Sequence, residues 1–292
     1  MLAWIPTDIT RGIRIAGWTN LVVNILIVVS GGAVRLTASG LGCPTWPTCT
    51  AESLITTPEM GIHGVIEFTN RLLTFVLVVV ALATFLLVVR LRQTRPALFW
   101  IALSVGLGIP VQAIIGGVSV LVRLNPYVVG LHFVVSAVIV ALCSIFVVLL
   151  FSRTAEGRPS RGVMWVAALT VFLQVVTVLF GVITTGSGPH AGDALAPRNG
   201  LSSELFQHLH SYPAYGALAF VAILAICARL QRRRFLFRVT LVLIAVNALQ
   251  VALGITQSRL GLPVGLVAAH MFLACCVVAL TFATLASFRA RH

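Results

Sequence analysis

The chain has 292 residues, 59% of them hydrophobic and only 9% charged, with a mean hydropathy of +1.05. So few charges cannot cover a water-facing surface, so lipid is the solvent and no soluble domain is left over. The net charge of +13 comes from arginines that follow the loops, which makes the basicity a topology signal and excludes nucleic acid as a partner.

Eight apolar runs are predicted as helices at 14–34, 63–89, 97–120, 128–151, 162–185, 204–228, 236–257 and 264–288. Each is near the roughly 20 residues needed to cross a hydrocarbon core, so the fold class is an all-α integral membrane protein with eight transmembrane helices. The first run follows Arg11 and Arg14 and continues past Val34 without a small-residue cleavage site, so it reads as a retained helix and not a signal peptide. Fifteen arginines lie in the even-numbered loops and the two terminal segments, including Arg153, Arg158, Arg289 and Arg291; four (Arg35, Arg123, Arg198 and Arg259) lie in odd-numbered loops. The positive-inside rule then places both termini in the cytoplasm.

The first outer loop, about 35–62, is rich in Gly, Pro, Ser and Thr and carries Cys43-Pro-Thr-Trp-Pro-Thr-Cys49. It faces the oxidising side, so a Cys43–Cys49 disulfide is expected, either redox-active or pinning the loop over a site. Helix two carries His63, Glu67, Asn70, Arg71 and Thr74 along one face. Glu67 and Arg71, four residues apart, can pair; the functional reading has Glu67 stabilise positive charge or accept a proton beside a substrate. His132 lies in helix four, His208 and His210 in helix six, and His270 in helix eight, all within about two turns of the outer membrane face. Cys143, Cys227, Cys275 and Cys276 read as small packing residues, and His190 and His292 as solvated. The four outer arginines suit either haem propionates or interfacial anchoring.

The two halves, 1–155 and 156–292, read as copies. Gln112 precedes His132 by twenty residues, and Gln250 precedes His270 by the same twenty. Thr37-Ala-Ser39-Gly40 likewise echoes Thr185-Gly-Ser187-Gly188. Each half holds an even number of helices, so the copies share one orientation and form two four-helix bundles about an axis along the membrane normal.

Ionisable groups inside lipid carry a functional expectation because their insertion is costly. Two imidazoles from facing helices at one depth are what six-coordinate haem iron requires. His210 and His270 are the preferred pair. His208 is about 200° away from His210 around the helix, and Gln207, His210 and Ala214 form the inward stripe.

With these residues in place the chain resembles the haem A synthase (heme A synthase) family. The likeness rests on the doubled four-helix plan, the segment GGAVRLTASGLGCPTWPTC at 31–49, Glu67-Phe-Thr-Asn70-Arg71, and the histidines of helices four, six and eight. The resemblance implies a b-type haem (heme b, with its iron) between His210 and His270, and a haem O substrate bound in the first half with His132 and Glu67. Arg71, Asn70 and His63 are then cofactor-binding candidates. It also implies oxidation of the porphyrin C8 methyl through successive hydroxylations to a formyl group, in a bacterial plasma membrane, beside haem O synthase and terminal-oxidase assembly factors. The family pattern has His where Asn70 stands; His63, two turns or ~10 Å earlier on the same face, is the available substitute. A second cysteine pair found in some members is missing from the third outer loop. Two other readings use the same layout: a b-type cytochrome that only transfers electrons, with no use for Glu67, and a membrane transporter built on the twofold repeat.

Overall fold

The computed structural model describes residues 6–151 and 159–288. Arg153, Arg158, Arg289, Arg291 and His292 therefore lie outside the described residues. The described chain is helical without strands: α1 (Arg11–Leu36), α2 (Gly61–Val88), α3 (Pro96–Leu121), α4 (Pro126–Phe151), α5 (Arg161–Ser187), α6 (Ser203–Leu230), α7 (Arg234–Arg259) and α8 (Val264–Ala286). All eight are long and apolar enough to cross a membrane, and the predicted ends fall within three residues of the observed ones. In hydrocarbon each backbone polar group must be paired within its own segment, which leaves helices as the only open solution.

Local chemistry explains where the helices begin. Thr10, Ser160 and Ser202 cap α1, α5 and α6 by accepting from the amides of Ile13, Val163 and Leu205. Pro96 and Pro126 open α3 and α4, where a missing amide proton costs nothing. Pro110 and Pro213 lie inside α3 and α6, which continue through them. Neighbouring helices make such positions tolerable in a membrane.

The helices pack as two rings. In the first half α1 contacts α2, α2 contacts α3, α3 contacts α4, and α4 closes on α1; in the second half α5 to α8 repeat the circuit. The halves meet through α4 against α8, α1 against α8, and α4 against α5. Exchange of the halves maps this set of contacts onto itself, as a twofold axis requires. A shared core of Leu21, Val105, Val140, Val147, Val278 and Ala279 fills the seam. Ser144 Oγ donates to the carbonyl of Ala279 across it at 2.6 Å.

Close approach at this seam depends on glycine. A Cβ on Gly130 in α4 would lie 2.6 Å from Val182 Cγ1 of α5, a stiff β-branched side chain with little room to yield. Gly130→Leu is expected to destabilise the protein by about 1–3 kcal/mol, read as a lower unfolding temperature in detergent. Gly106→Leu, at a position with no atom within 4 Å of the added Cβ, is the control and stays near the wild-type value.

Candidate functional site

The second half brings its two inward histidines together. The rings of His210 (α6) and His270 (α8) have centroids 6.2 Å apart and planes at 71°. His210 Nδ1 lies 2.8 Å from the carbonyl oxygen of Thr177 on α5. A carbonyl can only accept, so Nδ1 carries the proton and the neutral ring keeps its lone pair on Nε2. Gly181 and Gly254 form the floors under the two rings. A Cβ on Gly181 would stand 2.8 Å from His210 Cε1, and one on Gly254 would stand 3.1 Å from His270 Cε1. Gln250 Nε2 donates to the His270 carbonyl at 3.0 Å, which ties α7 to α8 beside the ring.

This geometry fits an ion held between two imidazoles. Opposed metal–imidazole bonds of about 2 Å each put the donor nitrogens roughly 4 Å apart and the ring centroids roughly 6 Å apart. Nδ1 of His270 is buried without a hydrogen bond. Among the described residues no group of three or more His, Cys, Asp or Glu converges as a protein-only cage. Two imidazoles complete a coordination shell when the remaining ligands arrive with a macrocycle. His208 does not join them: it is exposed and stacks on Tyr212 with centroids 5.7 Å apart and planes at 22°.

The first half repeats half of this plan. A Cβ on Gly116 would stand 3.1 Å from His132 Cε1, as Gly254 does to His270. Gln112 Nε2 donates to the His132 carbonyl at 3.0 Å and also to Ser136 Oγ. His132 Nδ1 is buried without a hydrogen bond. Asn70 on α2 receives a hydrogen bond from Ser30 Oγ of α1 to its Oδ1 at 2.7 Å. His63 is exposed at the outer end of α2, its Nδ1 2.9 Å from Ser39 Oγ in the first outer loop.

Glu67 and Arg71 form the ion pair that their spacing allows, at 2.6 Å, with Glu67 only 5% exposed. Both are also bound to the loop above them. Glu67 Oε2 accepts from the amide of Cys43 at 2.7 Å, while Arg71 donates to the carbonyls of Cys43, Thr45 and Thr48 at 3.0, 3.0 and 3.2 Å. The Cys43–Cys49 disulfide closes this same segment. Trp46, at its middle, lies flat on α3: a Cβ on Gly117 would come within 2.3 Å of the indole. Gly117 is next in sequence to Gly116, about 100° further round α3, so the loop and the His132 ring pack on adjacent residues of one helix.

The outer loops are stitched to each other as well. Gly40 donates its amide to the Gly192 carbonyl at 2.8 Å, and Arg35 donates to the carbonyls of His190 and Thr185 at 2.5 and 2.8 Å. His190, expected to be solvated, is half-buried with Nε2 2.9 Å from the Leu262 carbonyl; chain folding found it a partner that local sequence does not show. Arg198 binds the carbonyls of Pro189 and Ala196. Gly116, Gly181, Gly254, Thr177 and Trp46 escaped the sequence reading. Only Gly116 and Gly254 carried a readable signal, each sixteen residues before its histidine.

Fold and site together define a multi-pass membrane protein made from a doubled four-helix unit, with paired imidazoles inside the membrane. A model of the cytochrome oxidase assembly protein family, COX15-CtaA, matches residues 14–282, and the chain belongs to that family. Similar proteins include the Heme A synthase of Staphylococcus epidermidis, 25% identical over 213 residues, covering 65% of this chain and 68% of that protein. The Heme A synthase of Halalkalibacterium halodurans is 26% identical over 184 residues, covering 61% and 59%. That of Listeria monocytogenes is 27% identical over 168 residues, covering 55% and 53%.

Removing Arg71 leaves the Glu67 carboxylate buried and unpaired, a loss of about 3 kcal/mol or more, and cuts three ties to the loop. Arg71→Ala is therefore expected to speed reduction of the Cys43–Cys49 bond by a membrane-impermeant reductant, measured by alkylation and mass. The Glu67→Gln/Arg71→Ala double variant should be less destabilised than Arg71→Ala alone, because no bare charge remains.

Proposed function

We propose that this protein is a haem A synthase, which oxidises the C8 methyl of haem O to a formyl group by successive hydroxylations. The product serves terminal-oxidase assembly. The single observation that carries this reading is the His210–His270 ring pair at 6.2 Å, in a chain whose relatives bear the name Heme A synthase. These relatives favour synthesis over the plain electron carrier and the transporter. In this reading the membrane is the bacterial plasma membrane with both termini cytoplasmic, supported by the arginine distribution. Haem O is the substrate in this reading, with haem O synthase as the partner that supplies it.

In the second half His210 and His270 are the iron ligands of haem b. The Thr177 carbonyl holds the His210 tautomer with Nε2 free, and Gln250 anchors the α8 backbone beside His270. When bound, this haem supplies a redox centre whose potential is tuned by its two imidazoles and its dry surroundings.

In the first half His132 binds the substrate, set by Gly116 and Gln112 as its counterpart is in the second. The clamped loop covers the outer end of this half, and Trp46 against Gly117 keeps water from the ring's neighbourhood. In this reading Glu67 stabilises positive charge that develops on the bound substrate. Its bonds to Cys43 and Arg71 fix where that negative charge sits before substrate arrives, so no reorganisation is needed.

Cells that make haem O and express this chain should accumulate haem A in extracted pigment, and cells with an empty vector should not. His210→Ala and His270→Ala should each remove the low-spin b-type spectrum of purified protein; an unchanged spectrum would refute the ligand pair. Glu67→Ala should lower conversion by about 100-fold or more. Unimpaired conversion would remove Glu67 from the reaction.

A further inference from the structure

The chain contains its own control, because its two halves can be compared position by position. Gln112, Gly116 and His132 on α3 and α4 correspond to Gln250, Gly254 and His270 on α7 and α8, and each trio makes the same contacts. On the facing helices Glu67-Phe-Thr-Asn70 corresponds to Gln207-His-Leu-His210, with Asn70 the tenth residue of α2 and His210 the eighth of α6.

The neighbouring helices place a partner within one residue of the same register. Thr177 of α5 holds His210, and Ser30 of α1 holds Asn70. Counted back from the matching residues Thr185 and Thr37, these contacts lie eight and seven positions away. The first half thus presents a carboxamide where the second presents an imidazole.

A carboxamide is a poor substitute as an iron ligand. Its nitrogen has no available lone pair, its oxygen is a hard donor suited to other ions, and here Oδ1 already accepts from Ser30 Oγ at 2.7 Å. What the side chain has left to offer is its N–H donors. The other imidazole on α2, His63, lies about 10 Å nearer the outer end, is exposed, and has Nδ1 against Ser39.

We propose that the first half holds its haem iron through His132 alone, with the face toward Asn70 open to a small neutral ligand that the Asn70 amide can hydrogen-bond. The second half, with two imidazoles, is coordinatively closed. The proposal rests on the haem-binding reading above and makes the halves unequal in chemistry although they share one fold.

The test uses the full-length protein in detergent, loaded with ferric haem b as a probe of both halves. The expected result is a low-spin and a high-spin paramagnetic resonance signal in one sample, with carbon monoxide binding only one of the two haems after reduction. Asn70→His should convert the high-spin signal to low-spin and abolish carbon monoxide binding, whereas Asn70→Leu should leave the high-spin signal in place. His132→Ala should delete that signal while the second-half low-spin signal, an internal check of folding, persists.

A wild-type sample that is wholly low-spin overturns the proposal. If it then turns partly high-spin in His63→Ala, His63 is the missing ligand. A protein that loads only the second half removes the first-half binding reading itself, and the proposal with it. A protein that loads neither refutes the whole haem assignment.

Discussion

Hydrocarbon offers no water to a polar side chain, and that constraint organises this molecule. The costliest groups of the first half and the inward histidines illustrate how it is met. Glu67 and Arg71 pair with one another and also satisfy an amide and three carbonyls of the outer loop. His210 is tied to a backbone carbonyl, and the carbonyls of His132 and His270 each receive a glutamine. Nδ1 of His132 and of His270 are buried without a hydrogen bond, one in each half, on the residues that the functional reading assigns to haem.

The same economy explains how the loop and the helices form one structure. The Cys43–Cys49 segment is held by side chains that rise from α2 and by Trp46 pressed on the bare Gly117 stretch of α3. A larger residue at Gly117 would lift the indole, and with it the loop that Trp46 holds on α3. Arg35 and the Gly40–Gly192 bond extend the same cover to the third outer loop, so the two halves share a roof as well as a seam.

A duplicated four-helix unit allows one scaffold to be kept while single positions diverge. Glutamine, glycine and histidine on α3–α4 and α7–α8 stay matched, and their contacts superimpose in kind. The facing helices differ, with Glu67 and Asn70 in one and Gln207 and His210 in the other. Divergence on one wall of each bundle changes its chemistry without disturbing the packing that both share.

Much of this was legible in the sequence, because the cost of exposing polar backbone in lipid makes hydropathy and arginine placement sufficient to find eight helices and their repeat. The Glu67–Arg71 spacing follows from helical geometry, since residues four apart share a face; that His208 and His210 cannot share one follows likewise, and the Gln207–His210–Ala214 stripe names the one that the structure turns toward His270. Tertiary structure alone decided what lay across chain-distant contacts: Trp46 on Gly117, Thr177 under His210, His190 against Leu262, and the second duty of Glu67 and Arg71 as loop anchors. Those pairings join helices and loops that periodicity describes one at a time, and close packing selects the partners only when all eight are in place.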